Sequence, residues 1–305
     1  METDIVVGID NIVEPDNIWI YRDEGDYVEL IAEQRSKKWF DERLCRATAS
    51  LYEKALNLSP YGSDEDAATE ILGLKPPTVT NEAMMLGIVN EDPIRQYILD
   101  KNPGMKIREP SLCLSMRYIN VKELSKYTNP ASDPLHPHHF IGASPDGIIY
   151  NVDGSRMNME IKFTKKLYEK LLSDERGSSR WNSSVTESNK LDKILGKSGI
   201  VDKFDHINRS HYFQMVGTAF CTNVNSCLYC VGAFEGKTSE NVIYEEIIPF
   251  DYKFYSLYLY PNLIHFIKTK IIPKMTDTQL HEFSQRVQNM QKIIPNNRYT
   301  VLQPF

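Results

Sequence analysis

The sequence lacks the features that would place the chain in a membrane or outside the cell. No uninterrupted apolar run approaches the roughly 20 residues of a membrane-spanning helix, and no apolar segment of the secretory kind begins the chain. The five cysteines are an odd number and are scattered among apolar residues. These absences predict no membrane association and favour a reducing intracellular compartment.

The sequence also lacks a complete zinc-binding motif. Cys227 and Cys230 have the spacing of a zinc ligand pair, but no second pair stands at zinc-finger distance. Their strand-like surroundings, SCLYCVGAF, favour two small core residues. His136, His138 and His139 resemble a metal cluster by composition, but a proline breaks their spacing and no cysteine is near. A solvated loop is therefore the favoured interpretation of these histidines.

The chain has no surplus of positive charge, since its net charge is −6. This balance does not exclude a nucleic-acid partner, because affinity for phosphates depends on a local basic surface. Residues 164–203 hold nine Lys and Arg against six Asp and Glu, a local charge of +3. This segment is the predicted phosphate-facing surface, with Lys165 and Lys166 as candidate DNA contacts.

What the sequence does contain is an alternation of helical and strand-like segments. Helical periodicity runs over 36–58, with a break near 47–50, and over 81–101, 211–222 and 252–294, with a break near Ile272 and Pro273. Strand-like segments cover 138–151, 157–163, 226–235 and 241–250. The order predicts one α/β domain over 1–305, a central mixed sheet flanked by helices. Its core would span about 34–250 and would contain a basic insertion at 164–203. Helical additions are expected at the N terminus and at the C terminus, and the C-terminal one covers 252–305.

The segment GASPDGIIYNVDGSRMNMEIKF, residues 142–163, concentrates acidic and basic groups on a predicted hairpin. Residues two apart on a strand share a face, so Glu160 and Lys162 lie side by side and Ile161 faces away. The hairpin can bring Asp146 opposite them. Carboxylate oxygens select hard divalent ions such as Mg²⁺ or Mn²⁺. The alternative is an exposed ion pair worth about 0 to 1 kcal/mol.

Further blocks resemble one family in the same order along the chain. Pro145, Asp146, Glu160 and Lys162 look like the signature of the PD-(D/E)xK nucleases. GASPDG is similar to the branch of phage lambda-type exonucleases, the YqaJ viral recombinase family. That broad group includes the alkaline nucleases of large insect DNA viruses. WFDERLCRATAS (39–50), GIVNEDPIRQY (87–97) and HYFQMVGTAF (211–220) resemble its other motif blocks.

The resemblance implies a PD-(D/E)xK core and a set of site residues. The metal would be Mg²⁺, bound as two ions, with Mn²⁺ as the alternative. Its ligands would be Glu91, Asp146, Glu160 and the carbonyl of Ile161. The other implied roles are water activation by Lys162, positioning of water or phosphate by Gln214, and a 5′-phosphate pocket of Arg43, Ser50 and Ser144.

The implied activity is a 5′→3′ exonuclease on double-stranded DNA ends, used in viral recombination or genome processing. A single-strand annealing or single-strand DNA-binding protein is an implied partner, and the location would be a host nucleus or cytoplasm. Two alternatives stay open: an endonuclease of the same fold that nicks DNA or RNA, and an inactive DNA-binding module.

Several positions keep an ordinary interpretation or depart from the family pattern. Arg43 could pair with acidic neighbours on a helix surface, Glu91 could cap its helix, and Gln214 could be a plain polar residue. Trp39 is expected to anchor the helix of Arg43 in the core. His211 stands where the family often has tyrosine, and its role stays open.

Overall fold

A computed structural model describes residues 21–75, 82–127, 129–164, 207–233, 242–294 and 298–305. Lys165, Lys166 and nearly all of the predicted basic segment lie outside these residues. The helices are α1 (Lys37–Arg43), α2 (Tyr52–Ala55), α3 (Asp64–Ile71), α4 (Glu82–Val89), α5 (Glu91–Lys101), α6 (Arg209–Thr222), α7 (Tyr252–Phe254), α8 (Tyr260–Phe266) and α9 (Asp277–Lys292). The strands are β1 (Tyr21–Asp23), β2 (Tyr27–Leu30), β3 (Ala47–Thr48), β4 (Lys106–Arg108), β5 (Cys113–Ser115), β6 (Arg117–Ile119), β7 (Ile141–Gly142), β8 (Gly147–Tyr150), β9 (Arg156–Phe163), β10 (Ser226–Ala233), β11 (Val242–Pro249) and β12 (Thr300–Leu302).

The predicted central mixed sheet is confirmed. Five strands lie in the order β11-β10-β9-β8-β4. β9 and β10 are parallel, while the other neighbours are antiparallel. Parallel neighbours need a crossover connection, and α6 lies in the chain between β9 and β10. The predicted hairpin is β8 and β9, with Gly147 opposite Met159 at the end where the site residues lie.

The two faces of this sheet are covered by different helices. On one face, Ile94 and Ile98 of α5 pack against Met159 and Ile161 of β9. Side chains alternate along a strand, so Glu160 and its neighbours two residues away point to the other face. There α6 covers the sheet, and the hydroxyl of its Thr222 donates to Asn158 of β9 at 3.0 Å. Polar residues of β9 therefore lie between the sheet and a helix.

The segment predicted as one helix over 36–58 is divided by a short strand. Ser36 caps α1 by accepting from the N–H of Trp39, and the helix ends at Arg43. β3 follows and pairs in parallel with β7, Thr48 opposite Gly142. The predicted break is confirmed, but it extends over residues 44–51 because β3 gains a sheet partner. Likewise 81–101 holds two helices, α4 and α5, separated at Asn90.

The chain ends differ in structure. The described part of the N-terminal addition is not helical: it forms β1 and β2, which pair with each other, and β2 pairs with β5. The C-terminal addition is mostly helical as predicted, and a new helix begins after Thr276, whose side chain caps α9. Its residues Thr300–Leu302 instead form β12, which pairs with β6. Among the described residues, the larger hydrophobic cluster includes residues from Tyr21 to Ile294, and a smaller one lies between α5 and the central sheet. Within the described ranges, no helix is long and apolar enough to cross a membrane.

The histidine prediction was wrong. His136, His138 and His139 are 1%, 2% and 4% exposed, because a short 3₁₀ helix, Pro137–Phe140, turns them into the protein. Their ring nitrogens bond inside the core, for example His139 Nε2 with the carbonyl of Pro130 at 2.9 Å. All five cysteines are buried and free, as expected of core residues.

Candidate functional site

The hairpin brings Asp146 against the backbone of β9. Its Oδ2 accepts from the N–H of Ile161 at 2.7 Å. Ile161 lies beyond the last paired position of the β8–β9 ladder, Gly147 with Met159, so the Asp146 carboxylate replaces a strand partner there. In an extended strand the N–H and C=O of one residue point to the same edge. The carbonyl of Ile161 therefore points to the edge that Asp146 occupies.

Glu160 is fully buried beside Asp146. Its Oε1 accepts from Nζ of Lys162, whereas Oε2 has no hydrogen-bond partner among the described residues. Burial raises the pKa of Glu160 to about 8, the charge of Lys162 opposes this rise, and the carboxylates of Asp146 and Glu91 add to it. A buried carboxylate with an unpaired oxygen is costly unless a cation approaches it.

Lys162 is the cation at the centre of this cluster. Burial lowers its pKa, but the carboxylates of Glu160, Asp146 and Glu91 outweigh burial, so the net pKa is raised. The ammonium therefore stays protonated at neutral pH. Nζ also lies 3.5 Å from Oε1 of Gln214 on α6. Lys162 thus links Glu160 on β9 to Gln214 on α6.

Glu91 begins α5 and is held by two arginines that the sequence analysis missed. Arg35 Nη2 donates to Glu91 Oε1 at 2.6 Å, and Arg95 Nη2 donates to Oε2 at 3.3 Å. Arg95 Nε also donates to the carbonyl of Asp146 at 2.8 Å. The i, i+4 spacing of Glu91 and Arg95 was a usable signal. Burial and Asp146 raise the pKa of Glu91, and Arg35 opposes the rise.

Arg35 adopts a backbone conformation that few residues other than glycine tolerate. Its φ is +67°, in the left-handed region that costs a non-glycine residue about 1 kcal/mol or more. This conformation lies next to Gln34, whose side-chain amide donates to the carbonyls of Pro110 and Pro145. The turn therefore fixes the loop before Asp146 on one side and presents Arg35 to Glu91 on the other.

The donor set fits a hard divalent ion, although the side chains are turned to other partners. Among the residues that the structure describes, no group of three or more His, Cys, Asp or Glu is arranged to hold a metal as it stands. Glu91 is occupied by Arg35 and Arg95, and Glu160 by Lys162. Carboxylates and a main-chain carbonyl are nonetheless the oxygen ligands that Mg²⁺ and Mn²⁺ take. Oε2 of Glu160, which has no hydrogen-bond partner among the described residues, is the atom at which a bound cation would be most stabilising.

A second polar cluster lies two residues before Asp146, around Ser144. Arg43 Nη1 donates to the Ser144 hydroxyl at 3.3 Å, and Trp39 Nε1 donates to it at 3.1 Å. Arg43 Nη2 donates to the hydroxyl of Thr48 at 2.8 Å, and its guanidinium lies 4.1 Å from the centre of the Trp39 ring. Burial lowers the pKa of Arg43 to about 10, which leaves it charged at neutral pH.

This cluster contains two of the three residues predicted to bind the 5′-phosphate. Arg43 and Ser144 are brought together, and Trp39, at 8% exposed, anchors the helix as expected. Ser50 is exposed, and no hydrogen bond within the described ranges joins it to Arg43 or Ser144. Thr48, which lies in the same sequence block, was missed.

His211, whose role was left open, bonds through Nδ1 to the hydroxyl of Tyr229 at 2.8 Å. It stands three residues before Gln214 on α6, so the two lie on the same side of the helix. This contact ties the first turns of α6 to β10.

Comparison with known proteins adds the family. Residues 38–224 match the YqaJ-like viral recombinase domain. The chain belongs to this family. The match includes every predicted site residue that the structure describes, from Arg43 to Gln214. Arg35 and the C-terminal helices lie outside it.

Two crystal structures of LHK-Exo are similar to this YqaJ-like chain. One is its complex with dAMP, with a TM-score of 0.41 and 17% identity over 84% of this chain and 97% of that chain. The other is described as an alkaline exonuclease from Laribacter hongkongensis, with a TM-score of 0.39 at the same identity and coverage. At such scores the likeness says nothing about the site. No curated protein matches the sequence.

Proposed function

We propose that this YqaJ-like protein is a metal-dependent deoxyribonuclease that degrades double-stranded DNA from 5′-phosphorylated ends in the 5′→3′ direction. Family membership supports a nuclease. The observation that carries the proposal is the convergence of acids on one partly buried cation, Lys162. Asp146 and Glu160 come from the hairpin, and Glu91 comes from a helix on the other face of the sheet.

The metal ligands in this proposal are Asp146, Glu160, Glu91 and the carbonyl of Ile161. A bound Mg²⁺ or Mn²⁺ would polarise the scissile phosphate and offset the negative charge that develops on it. Glu91 leaves Arg35 to take part, since their ion pair is partly exposed and is worth only about 1 kcal/mol. Oε2 of Glu160 has no hydrogen-bond partner among the described residues.

Lys162 and Gln214 act on the water and the phosphate. A lysine whose pKa is raised holds its proton, so it serves as a donor that orients water or stabilises a phosphate oxygen. The Gln214 amide, 3.5 Å from the ammonium, carries an oxygen and two N–H donors. It can direct a water molecule from the face of the sheet that α6 covers.

Recognition of the DNA end is assigned to Arg43 and Ser144. An arginine presents a planar pair of donors that matches a terminal phosphate. Its neighbours Trp39 and Thr48 hold the guanidinium in one orientation, which lowers the entropy lost on binding. Because Ser144 lies two residues from Asp146, a phosphate held there is close to the acids. Such contacts select an end and not a base sequence.

The test compares a duplex with a 5′-phosphate, the same duplex with a 5′-hydroxyl, and a closed circle, each with Mg²⁺ and with chelator. The wild-type protein should digest the phosphorylated duplex fastest and stop in chelator. Arg43→Ala should raise KM on that duplex about 10- to 100-fold, the value of a charge-assisted bidentate contact.

The matched control is Arg156→Ala, at the opposite end of β9, where the arginine pairs with Asp26. It should leave KM unchanged. Equal loss on linear and circular DNA would identify an endonuclease instead, and cleavage in excess chelator would exclude the metal site.

A further inference from the structure

The helix that carries Arg43 is too short to be stable on its own. α1 has seven residues and ends at Arg43, whereas isolated helices shorter than about 12 residues are marginal in water. The last carbonyls of any helix also lack helical partners. The position of the Arg43 guanidinium therefore depends on whatever holds this last turn.

An arginine from the C-terminal helix supplies that support. Arg286 of α9 donates through Nη1 to the carbonyls of Asp41 and Glu42, at 2.6 and 3.1 Å. Its Nη2 donates to the carbonyl of Leu44 at 3.1 Å. These carbonyls flank Arg43 on both sides. A cation at the C terminus of a helix also interacts favourably with the helix dipole.

The same region of α9 supports the other side of the Arg43–Ser144 cluster. Arg46 donates to Glu42 and to the carbonyl of His139, and its guanidinium lies over the ring of Phe283 on α9 at 4.8 Å. Phe283 stacks on Phe140 at 4.0 Å, and Phe140 leads directly into β7 and then Ser144. Both residues of the cluster thus depend on contacts with α9.

We propose that Arg286 is a positioning residue for end recognition: by holding the last turn of α1, it sets the guanidinium of Arg43 against Ser144. This inference rests on the proposed function. Arg286 is 4% exposed, and it is separated from Asp41 by 245 residues of chain. It lies outside the family match at 38–224, so the C-terminal addition completes a site that the family segment carries.

Geometry explains why arginine is suited to this position. A guanidinium has five donors in a rigid plane and can reach three carbonyls at once, whereas a lysine ammonium is a single point. The carbonyl of Asp41 also accepts from the N–H of Leu44, and that of Glu42 from Nε of Arg46. Replacing Arg286 with glutamine removes donors that reinforce both and leaves at most one side-chain amide to bond the carbonyl of Leu44. The last turn of α1 should then open more often, and Arg43 should spend less time in the orientation that binds a phosphate.

The experiment measures kcat and KM of the full chain on duplexes with 5′-phosphate and 5′-hydroxyl ends. Arg286→Gln should raise KM on the phosphorylated duplex about 10-fold, since one or two lost hydrogen bonds amount to this factor. kcat and both constants on the hydroxyl duplex should change by less than about 2-fold. Arg286→Lys should fall between glutamine and wild type.

The matched control is Val287→Ala, which shortens a fully buried residue on the same helix. It should lower stability by about 1 to 3 kcal/mol and keep the preference for 5′-phosphate. Equal loss of preference in both variants would show a merely structural role and overturn the proposal. If Arg286→Gln fails to fold, Arg286→Lys decides, and an unchanged preference in that variant overturns it.

Hydrogen exchange of the α1 amides separates this inference from the proposed function. Arg286→Gln should lose protection over residues 40–46, and Val287→Ala should not. If the wild-type protein shows no preference for 5′-phosphate while this exchange pattern is found, end recognition fails but the support of α1 stands. Unchanged protection in Arg286→Gln would contradict the positioning role whatever the substrate preference.

Discussion

Replacing Glu160 with glutamine should make the metal-free protein more stable and the enzyme inactive. The unfolded chain ionises this glutamate above about pH 4.5, whereas burial in the folded protein keeps it protonated up to about pH 8. Folding therefore takes up a proton in this interval, and the free energy of unfolding falls as pH rises through it. At pH 7.5 the cost is about 4 kcal/mol.

Glutamine removes this cost but adds a smaller one. Its amide nitrogen would stand at the position of Oε2, which has no partner among the described residues. A buried donor without a partner costs about 1 to 3 kcal/mol. The net result at pH 7.5 is a gain of about 1 to 3 kcal/mol in the free energy of unfolding. At pH 5 the ionisation cost that glutamine avoids is about 3 kcal/mol smaller, because the unfolded chain is then less ionised at this position, so the gain should vanish or reverse.

The assay is urea denaturation in chelator and in Mg²⁺ at both pH values, with DNA hydrolysis measured beside it. Mg²⁺ should stabilise the wild-type protein, because a ligand that binds only the folded state does so, and should leave Glu160→Gln unchanged. The control is Glu245→Gln on β11, where the glutamate pairs with Lys101 at the surface. A metal-free Glu160→Gln protein less stable than wild type at pH 7.5, or one that still hydrolyses DNA, would refute the reasoning.

Two further predictions concern Glu91 and the buried histidines. Arg35→Gln should lower the Mg²⁺ concentration needed for half-maximal thermal stabilisation about 2- to 5-fold. The reason is that Arg35 competes with the ion for Glu91 through a partly exposed ion pair. A higher Mg²⁺ requirement in this variant would show that Arg35 instead orients Glu91 for the ion. Below pH 6.5 the free energy of unfolding of the wild-type protein should fall as the pH is lowered. In His139→Gln this fall, measured by urea denaturation, should be smaller by about 1 kcal/mol per pH unit. The pKa of His139 lies well below 6.5 because of burial, neighbouring histidines and the charge of Arg46, so the unfolded chain takes up the proton first. An unchanged slope would contradict this.

The hairpin is the part of the site that the sequence predicted best. Alternation along a strand is local, so GASPDG and MNMEIKF were enough to place Glu160 and Lys162 on one face and Ile161 on the other. The family blocks then related Glu91 and Gln214 to the hairpin, and the structure brings Gln214 to Lys162 on the face of the sheet that α6 covers.

The histidines show where local patterns fail. A proline next to three histidines has the composition of a solvated loop, and only packing against distant aromatic residues makes these rings part of the core. Ser50 lies in the block that carries Arg43 and is exposed, and its role in binding phosphate stays a prediction.

By itself, the sequence determined the alternation of strands and helices, the grouping of acidic and basic residues on the hairpin, and the family. These follow from periods of a few residues and from short motifs. Only the tertiary structure decided which charges meet: Arg35 with Glu91, and Arg286 with the last turn of α1. Such contacts join residues far apart in the chain. A long polar side chain gives no local sign of its partner, because its energy depends on what folding places beside it.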